Sequence, residues 1–358
     1  MPSVCRRLVF SLLTFAGLFM TPASAMPGER PEAKPAAAPA PEAPRKNAVL
    51  VRESVENVFR FQTEGIQGNI RLDGAYHGVT RLVDRRTGKQ LIDPRYSALN
   101  LFKLMSTNQV MGMPRTMDRK VQATSRWVEV KWPATEGHHG ELTARYEVRE
   151  PNAIDLTVTV RSAGAYPGYE AFMSSYFDKG LRPHVYLQPT GRGPGGEADL
   201  VLPRVNDVFR GTVLVFPRDW HAARRCVDGR WNRDERGTPI VQMCPVRRYA
   251  YCLAVMADPQ QRLGVVLMSD PRQCYAISTR YHADEEKQRL TDYSAFDLSL
   301  FGDDLLPGDR RTARVRLAVV TLDPQWSQPV KLYQAFLAEL SGQSSCLPGL
   351  SRKEVHHD

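Results

Sequence analysis

The stretch Tyr169–Gln188, YEAFMSSYFDKGLRPHVYLQ, gathers side chains that could do chemistry on a polar ligand. Its first half divides by alternation. Tyr169, Ala171, Met173, Ser175 and Phe177 share one side, and Glu170, Phe172, Ser174, Tyr176 and Asp178 share the other. Successive side chains of an extended strand point to opposite faces, so the first set reads as a core face and the second as a mixed polar and aromatic face. In the second half Val185 and Leu187 are apolar, and His184, Tyr186 and Gln188 oppose them. Aromatic rings stack on apolar C–H patches while neighbouring polar groups bond hydroxyls, which is the lining a sugar needs.

With KGLRP as the connecting loop, Asp178 falls opposite His184 and Tyr176 opposite Tyr186, about 5 Å apart at Cβ. The carboxylate would orient the imidazole and raise its basicity, so the pair could transfer protons near neutral pH. A loop one residue shorter would turn the second strand over and destroy the pairing. Glu170 is a further carboxylate on the same face, about 26 Å along the strand from Asp178, within reach of a polysaccharide chain but not of one small ligand. The candidate catalytic residues are therefore His184, Asp178 and Glu170, and the candidate contacts Tyr176, Tyr186 and Gln188. The same alternation also describes the solvated side of a half-buried sheet.

A second concentration lies in FPRDWHAARRCVDGRWNRDERG, Phe216–Gly237, read as a long polar loop. Trp220, His221, Arg230 and Trp231 are its candidate ligand contacts. Forked guanidinium groups suit carboxylate or sulfate, which points to an anionic polysaccharide. The alternative is a surface loop tied by a Cys226–Cys244 disulfide. His138 and His139 are adjacent, and neighbours on a strand point apart, so they do not read as a metal pair. GRGPGG at 191–196 matches the glycine pattern of a dinucleotide site, but Pro194 interrupts it and strand-like residues follow instead of a helix. No cofactor and no metal is expected.

These residues need a scaffold, and the chain reads as sheet. Leu142, Ala144, Tyr146 and Val148 alternate with polar residues, as do Ile154, Leu156, Val158 and Val160, with Glu150–Asn152 as the turn of a hairpin. Ala313–Val319 alternates too, and Phe296, Leu298 and Leu300 share one side of AFDLSLF. YAYCLAVM and LGVVLMS are more continuously apolar, as strands covered on both faces are. Turn signals at short intervals favour an antiparallel sandwich or barrel, and one large sandwich is the preferred reading. One helix is expected, in QPVKLYQAFLAEL, where Val330, Tyr333, Phe336, Leu337 and Leu340 recur at helical spacing.

At the N-terminus Arg6 and Arg7 precede an apolar run, Leu8–Met20, and the small residues Ala23–Ala25. That is the pattern of a secretory signal peptide, with an apolar run too short to span a bilayer. A Pro/Ala-rich spacer follows to residue 47. The domain is expected over 48–345, with a polar tail over 346–358. The net charge is +9, and removing Arg6 and Arg7 leaves +7. A basic exported chain suits an anionic polymer better than nucleic acid, and no groove-reading motif is present. A periplasmic or secreted location permits disulfides.

GVTRLVDRRTGKQLI, Gly78–Ile92, with its D-x-x-T-G-like turn, and the later segments YEAFMSSYF and LSLFGDDLLPGD resemble galactose-mutarotase-like β-supersandwich domains over roughly Val49 to Val320. The resemblance implies a mainly β fold, a large antiparallel sandwich with a C-terminal helix, and a broad sheet that binds carbohydrate. It implies epimerase- or glycosidase-like chemistry, although the histidine–aromatic motif of the epimerases has no clear copy here. The competing class is a non-catalytic envelope protein that binds an anionic surface polymer.

Overall fold

The computed structural model describes residues 47–107, 109–190, 197–203, 213–226, 242–243, 247–280 and 293–344. In chain order its strands are β1 (Val51–Arg52), β2 (Val58–Gln62), β3 (Ile66–Arg71), β4 (Gly78–Asp84), β5 (Asn100–Ser106), β6 (Gln109–Gly112), β7 (Lys120–Ala123), β8 (Val128–Trp132), β9 (Gly140–Arg149), β10 (Ala153–Ser162), β11 (Glu170–Asp178), β12 (Arg182–Leu187) and β13 (Asp199–Val201). After these come β14 (Val213–Pro217), helix α1 (Trp220–Cys226), β15 (Gln242–Met243), β16 (Tyr249–Asp258), β17 (Leu263–Ser269), β18 (Cys274–Arg280), β19 (Tyr293–Phe301), β20 (Arg310–Thr321) and helix α2 (Ser327–Ser344).

They form a nine-stranded sheet ordered β13-β12-β16-β17-β20-β10-β9-β8-β7, a seven-stranded sheet ordered β15-β14-β18-β19-β11-β5-β6, and a four-stranded sheet β1-β2-β3-β4. Pairing is antiparallel throughout the described strands except between β14 and β15. The mainly β sandwich expected from the sequence is the architecture observed. The β9–β10 hairpin has the register its alternation requires, with Val148 opposite Ile154 and Tyr146 opposite Leu156, and all four are fully buried. Side chains from the two large sheets and the small one meet in a single apolar core, with Trp132, Tyr146, Tyr169 and Phe296 its largest fully buried members.

Helix α2 lies against the sandwich through Tyr333, Phe336 and Leu340, the residues its helical spacing singles out. Arg316, only 4% exposed on β20, fixes it. The guanidinium forks onto Asp155 (2.6 and 2.9 Å) and onto Glu339 of α2 (3.0 and 2.8 Å). Among the described residues no helix is long and apolar enough to cross a membrane.

Two elements differ from the sequence reading. The start of the Arg-rich segment is not a loop: β14 ends at Pro217, and Trp220–Cys226 is helix α1, capped by Asp219, whose Oδ1 accepts the Ala222 N–H at 2.7 Å. β11 and β12 do not form a hairpin. β11 lies between β19 and β5 in the seven-stranded sheet, whereas β12 lies between β16 and β13 in the nine-stranded one. The chain crosses between sheets at Lys179–Leu181. Leu181 is fully buried there, and its carbonyl accepts the Ser294 hydroxyl at 2.8 Å.

Candidate functional site

The face of the seven-stranded sheet turned away from the core carries a cluster of polar and aromatic side chains. Strand register builds it. Asn100 on β5 is opposite Ser174 on β11, Ser174 opposite Asp297 on β19, and Asp297 opposite Ser278 on β18. Opposed residues share a face, so these side chains form one polar row with neighbours about 4.8 Å apart. One step along the strands lies the row Tyr176, Ala295 and Arg280. On the other side of the polar row lie Lys103, Phe172, Ser299 and Ala276.

Asp297 is the centre. It is 4% exposed. Burial pushes its carboxyl up to about 7, against the opposing pull of the Ser174 hydroxyl, the Arg280 and Arg115 charges and the Ser175 N–H. The group therefore exchanges a proton near neutrality. The buried Ser278 Oγ beside it has no hydrogen-bond partner among the described residues, and neither does Nε of Arg280. Orphaned buried polar atoms are rare in a folded protein, and they mark places where a ligand or water completes the bonding.

Two guanidinium groups flank that carboxyl. Arg280 donates through Nη1 to Tyr293 OH at 3.3 Å. Arg115 donates through Nε to Asn100 Oδ1 at 2.6 Å and through Nη2 to Tyr176 OH at 3.0 Å, and lies over the rings of Phe102 at 4.0 Å and Tyr76 at 4.6 Å. Its place is set from below. The buried Trp132 indole and the Arg119 guanidinium both donate to Pro114 O at 2.9 Å, and Arg119 also donates to Arg115 O at 2.8 Å. Asn100 is oriented by His77, whose backbone carbonyl accepts its Nδ2 at 2.8 Å. The His77 ring accepts the Leu101 N–H through Nε2 at 3.1 Å, and burial with Arg119 and Arg115 nearby holds it neutral.

Gly78 makes this approach possible. Its φ is +104°, and a Cβ there would sit 2.4 Å from Ala98 O, where Val79 and Ala98 exchange backbone hydrogen bonds.

Four tyrosines wall the same patch. Tyr96 packs on Tyr76 (4.9 Å), Tyr176 (4.9 Å) and Tyr293 (5.0 Å), and Tyr176 meets Tyr293 edge-on at 5.1 Å. Burial raises the Tyr176 phenol and pushes Tyr293 up to about 12. Both act as neutral hydrogen-bonding rings at physiological pH. Among the described residues no set of three His, Cys, Asp or Glu side chains converges as metal ligands would.

The structure separates the residues the sequence grouped. Tyr176 is in the patch. Glu170 is on the same sheet face but fully buried, accepting the Tyr275 hydroxyl. It is four residues along β11 from the Asp297 row, about 13 Å away. Asp178 ends β11, and its Oδ1 accepts the Gly180 N–H at 2.8 Å, closing a turn. The expected Asp178–His184 pairing is overturned because the two strands belong to different sheets. His184 pairs with Val255, its ring packs on Trp326 at 4.5 Å, and its Nδ1 donates to Arg182 O at 3.0 Å. Burial pulls its pKa down.

Tyr186 likewise does not meet Tyr176. It is buried and donates to Trp326 O at 3.1 Å. Gln188 pairs through its backbone with Arg248 and Arg247. Trp220 and His221 lie exposed on α1, with Arg248 over the Trp220 ring at 5.4 Å. Arg230, Trp231 and the Cys226–Cys244 pairing lie outside the described residues. Sequence reading missed Asp297, Arg115, Arg280, Tyr76, Tyr96 and Tyr293. The one local signal was Asp297 itself, an acid alone in the apolar strand AFDLSLF.

No family model matches the chain, and no curated protein matches it. Solved structures of similar strand arrangement include a candidate aldose 1-epimerase from Escherichia coli K12, 11% identical over 74% of this chain and 99% of that one, with a TM-score of 0.46. They also include galactose 1-epimerase from Lactobacillus acidophilus NCFM, 11% identical over 78% of this chain and 99% of that one, TM-score 0.39. A third is heparan sulfate lyase HepC from Pedobacter heparinus, 5% identical over 76% of this chain and 36% of that one, TM-score 0.40. The likeness is one of strand arrangement alone.

Proposed function

We propose that the chain is an exported saccharide-binding protein whose ligand sits on the outer face of the seven-stranded sheet, over Asp297, and carries negative charge. One observation carries this reading: a buried carboxyl poised near neutrality, flanked by Arg115 and Arg280 and walled by tyrosines. The rings offer stacking surfaces, and Ser174, Ser278 and Asn100 offer groups that bond hydroxyls. Neither Arg115 nor Arg280 makes an ion pair among the described residues, unlike the forked Arg316. Two such guanidinium groups suit a uronate carboxylate or a sulfate. Export is supported by Arg6, Arg7, the apolar run and Ala23–Ala25.

The geometry favours proton exchange with a single carboxyl over glycoside hydrolysis. Hydrolysis takes two carboxyl groups, about 5 Å apart for retention and roughly 6.5–9.5 Å for inversion. Glu170 and Asp178, the other acids on this face of β11, each lie four residues along the strand from the Asp297 row, about 13 Å away. An epimerising enzyme would draw on Asp297 as acid or base at the anomeric centre.

Calorimetric titration of the protein with neutral, uronate-bearing and sulfated oligosaccharides tests the reading. Binding to an anionic oligosaccharide, weakened at least tenfold by Arg280→Gln and by added salt, is the expected result. No binding to any saccharide overturns the proposal. Binding that neither substitution nor salt affects overturns the assignment of charge.

A further inference from the structure

Cys252 lies on β16 of the nine-stranded sheet, and Cys274 opens β18 of the seven-stranded sheet. Both are fully buried in the same core. Sheets packed face to face lie about 10 Å apart, yet β16 and β18 approach to within 8 Å at Cα. One hydrogen bond crosses that gap, and a second ties β16 to helix α2. Tyr249, also on β16, donates its hydroxyl to Cys274 O at 2.7 Å, and the Cys252 N–H donates to Tyr333 OH of α2 at 3.3 Å. Both cysteines are free thiols here; Cys274 Sγ donates to Ala276 O at 3.2 Å, and burial and the neighbouring Cys252 thiol push its pKa up.

We propose that Cys252 and Cys274 are oxidised to a disulfide that joins the two large sheets. Bridged cysteines have Cα atoms about 4.4–6.8 Å apart, a span that only strands approaching this closely provide. The oxidant is a disulfide, and the reaction is exchange. One cysteine loses its proton, attacks a sulfur of the donor disulfide and releases a donor thiolate, leaving a mixed disulfide. The second thiolate attacks the cysteine sulfur of that bond and releases the other donor sulfur. The two cysteines give up two electrons and two protons in all, and the donor leaves as thiols. Both sulfurs are sealed in the finished core, so exchange takes place while the sheets are still docking. The pairing is distinct from Cys226–Cys244, and the two are compatible.

The full chain is refolded from its reduced state in a buffer of reduced and oxidised glutathione. It is then denatured in iodoacetamide, digested and mapped by mass spectrometry. The expected map contains Cys252 and Cys274 in one cross-linked peptide pair, about 2 Da lighter than the two reduced peptides together. In Cys252→Ala, Cys274 becomes fully alkylated. Alkylation of both cysteines in the wild-type chain overturns the proposal, as does a map that joins either one to Cys226, Cys244 or Cys346. So does a Cys274 that stays blocked in Cys252→Ala. The wild-type map requires no variant to fold.

Discussion

Replacing Asp297 with asparagine should make the protein more stable at alkaline pH, at the expense of its site. The carboxyl is 4% exposed and titrates at about 7, against an ordinary value of 3.8. Below about pH 4 it is protonated in the folded and unfolded chain alike, and it contributes nothing to the pH dependence. Between about 4 and 7 the folded chain keeps a proton that the unfolded chain has lost, so stability falls as pH rises. Above 7 the folded chain bears the full cost of a buried carboxylate, about 4 kcal/mol at 1.36 kcal/mol per pH unit.

Asparagine keeps the shape and removes that cost. The other ionisable neighbours facing the carboxyl are Arg280 of β18, Arg115, Tyr176 of β11 and Tyr293 of β19. Burial raises both phenols well above this range, so the dependence belongs to Asp297. Thermal denaturation of both proteins from pH 4 to 9 measures it. The curves should lie closest at pH 4 and separate as pH rises, with Asp297→Asn ahead by up to roughly 7 °C at pH 8. A difference that does not vary with pH, or one that widens toward acid, would refute the reasoning.

Arg316→Ala should cost about 3 kcal/mol in chemical denaturation, because Asp155 and Glu339 lose the group that neutralises them. That figure is the lower end for a buried pair, since both acids are partly in water. His184→Ala should leave saccharide affinity within about twofold in the same calorimetric assay, since His184 is on the nine-stranded sheet and its ring packs on Trp326. A tenfold loss would return that histidine to the site. Asp219→Ala should cost about 1 kcal/mol and loosen α1, measured as faster amide exchange at Ala222, whose N–H it now caps.

What the sequence made legible was local. Period-two alternation located the β9–β10 hairpin, β19 and β20, and helical spacing located α2, because each depends on a face that one segment displays by itself. The partition of β11 into two faces was right as well, and it placed Tyr176 and Ser174 on the side that carries the patch. What failed was pairing between segments. Three residues, Lys179–Leu181, carry the chain from one sheet to the other, and nothing in their chemistry distinguishes that crossing from a hairpin turn. Once β12 left β11, His184 and Tyr186 left with it.

The site could not be read because its parts are far apart in sequence. Tyr176, Arg280, Tyr293 and Asp297 converge through the register of β11, β19 and β18, and Tyr76, Tyr96 and Arg115 reach them from connecting segments. Helix α1 was missed because it is short and rich in arginine. Asp219 followed by Ala222 and Ala223 was its available cue.

Proton uptake during ligand binding tests the central claim most directly. An anion placed between Arg115 and Arg280 lies against the Asp297 carboxyl, disfavours its ionised form and raises its pKa further. At pH 7 the free protein is about half protonated there, so binding should draw up to about half a proton from solution. Titration of an anionic oligosaccharide in two buffers of different ionisation enthalpy measures that number. The account predicts uptake near pH 7 that vanishes in Asp297→Asn and affinity that tightens as pH falls. Binding with no proton exchange, or with proton release, would contradict it.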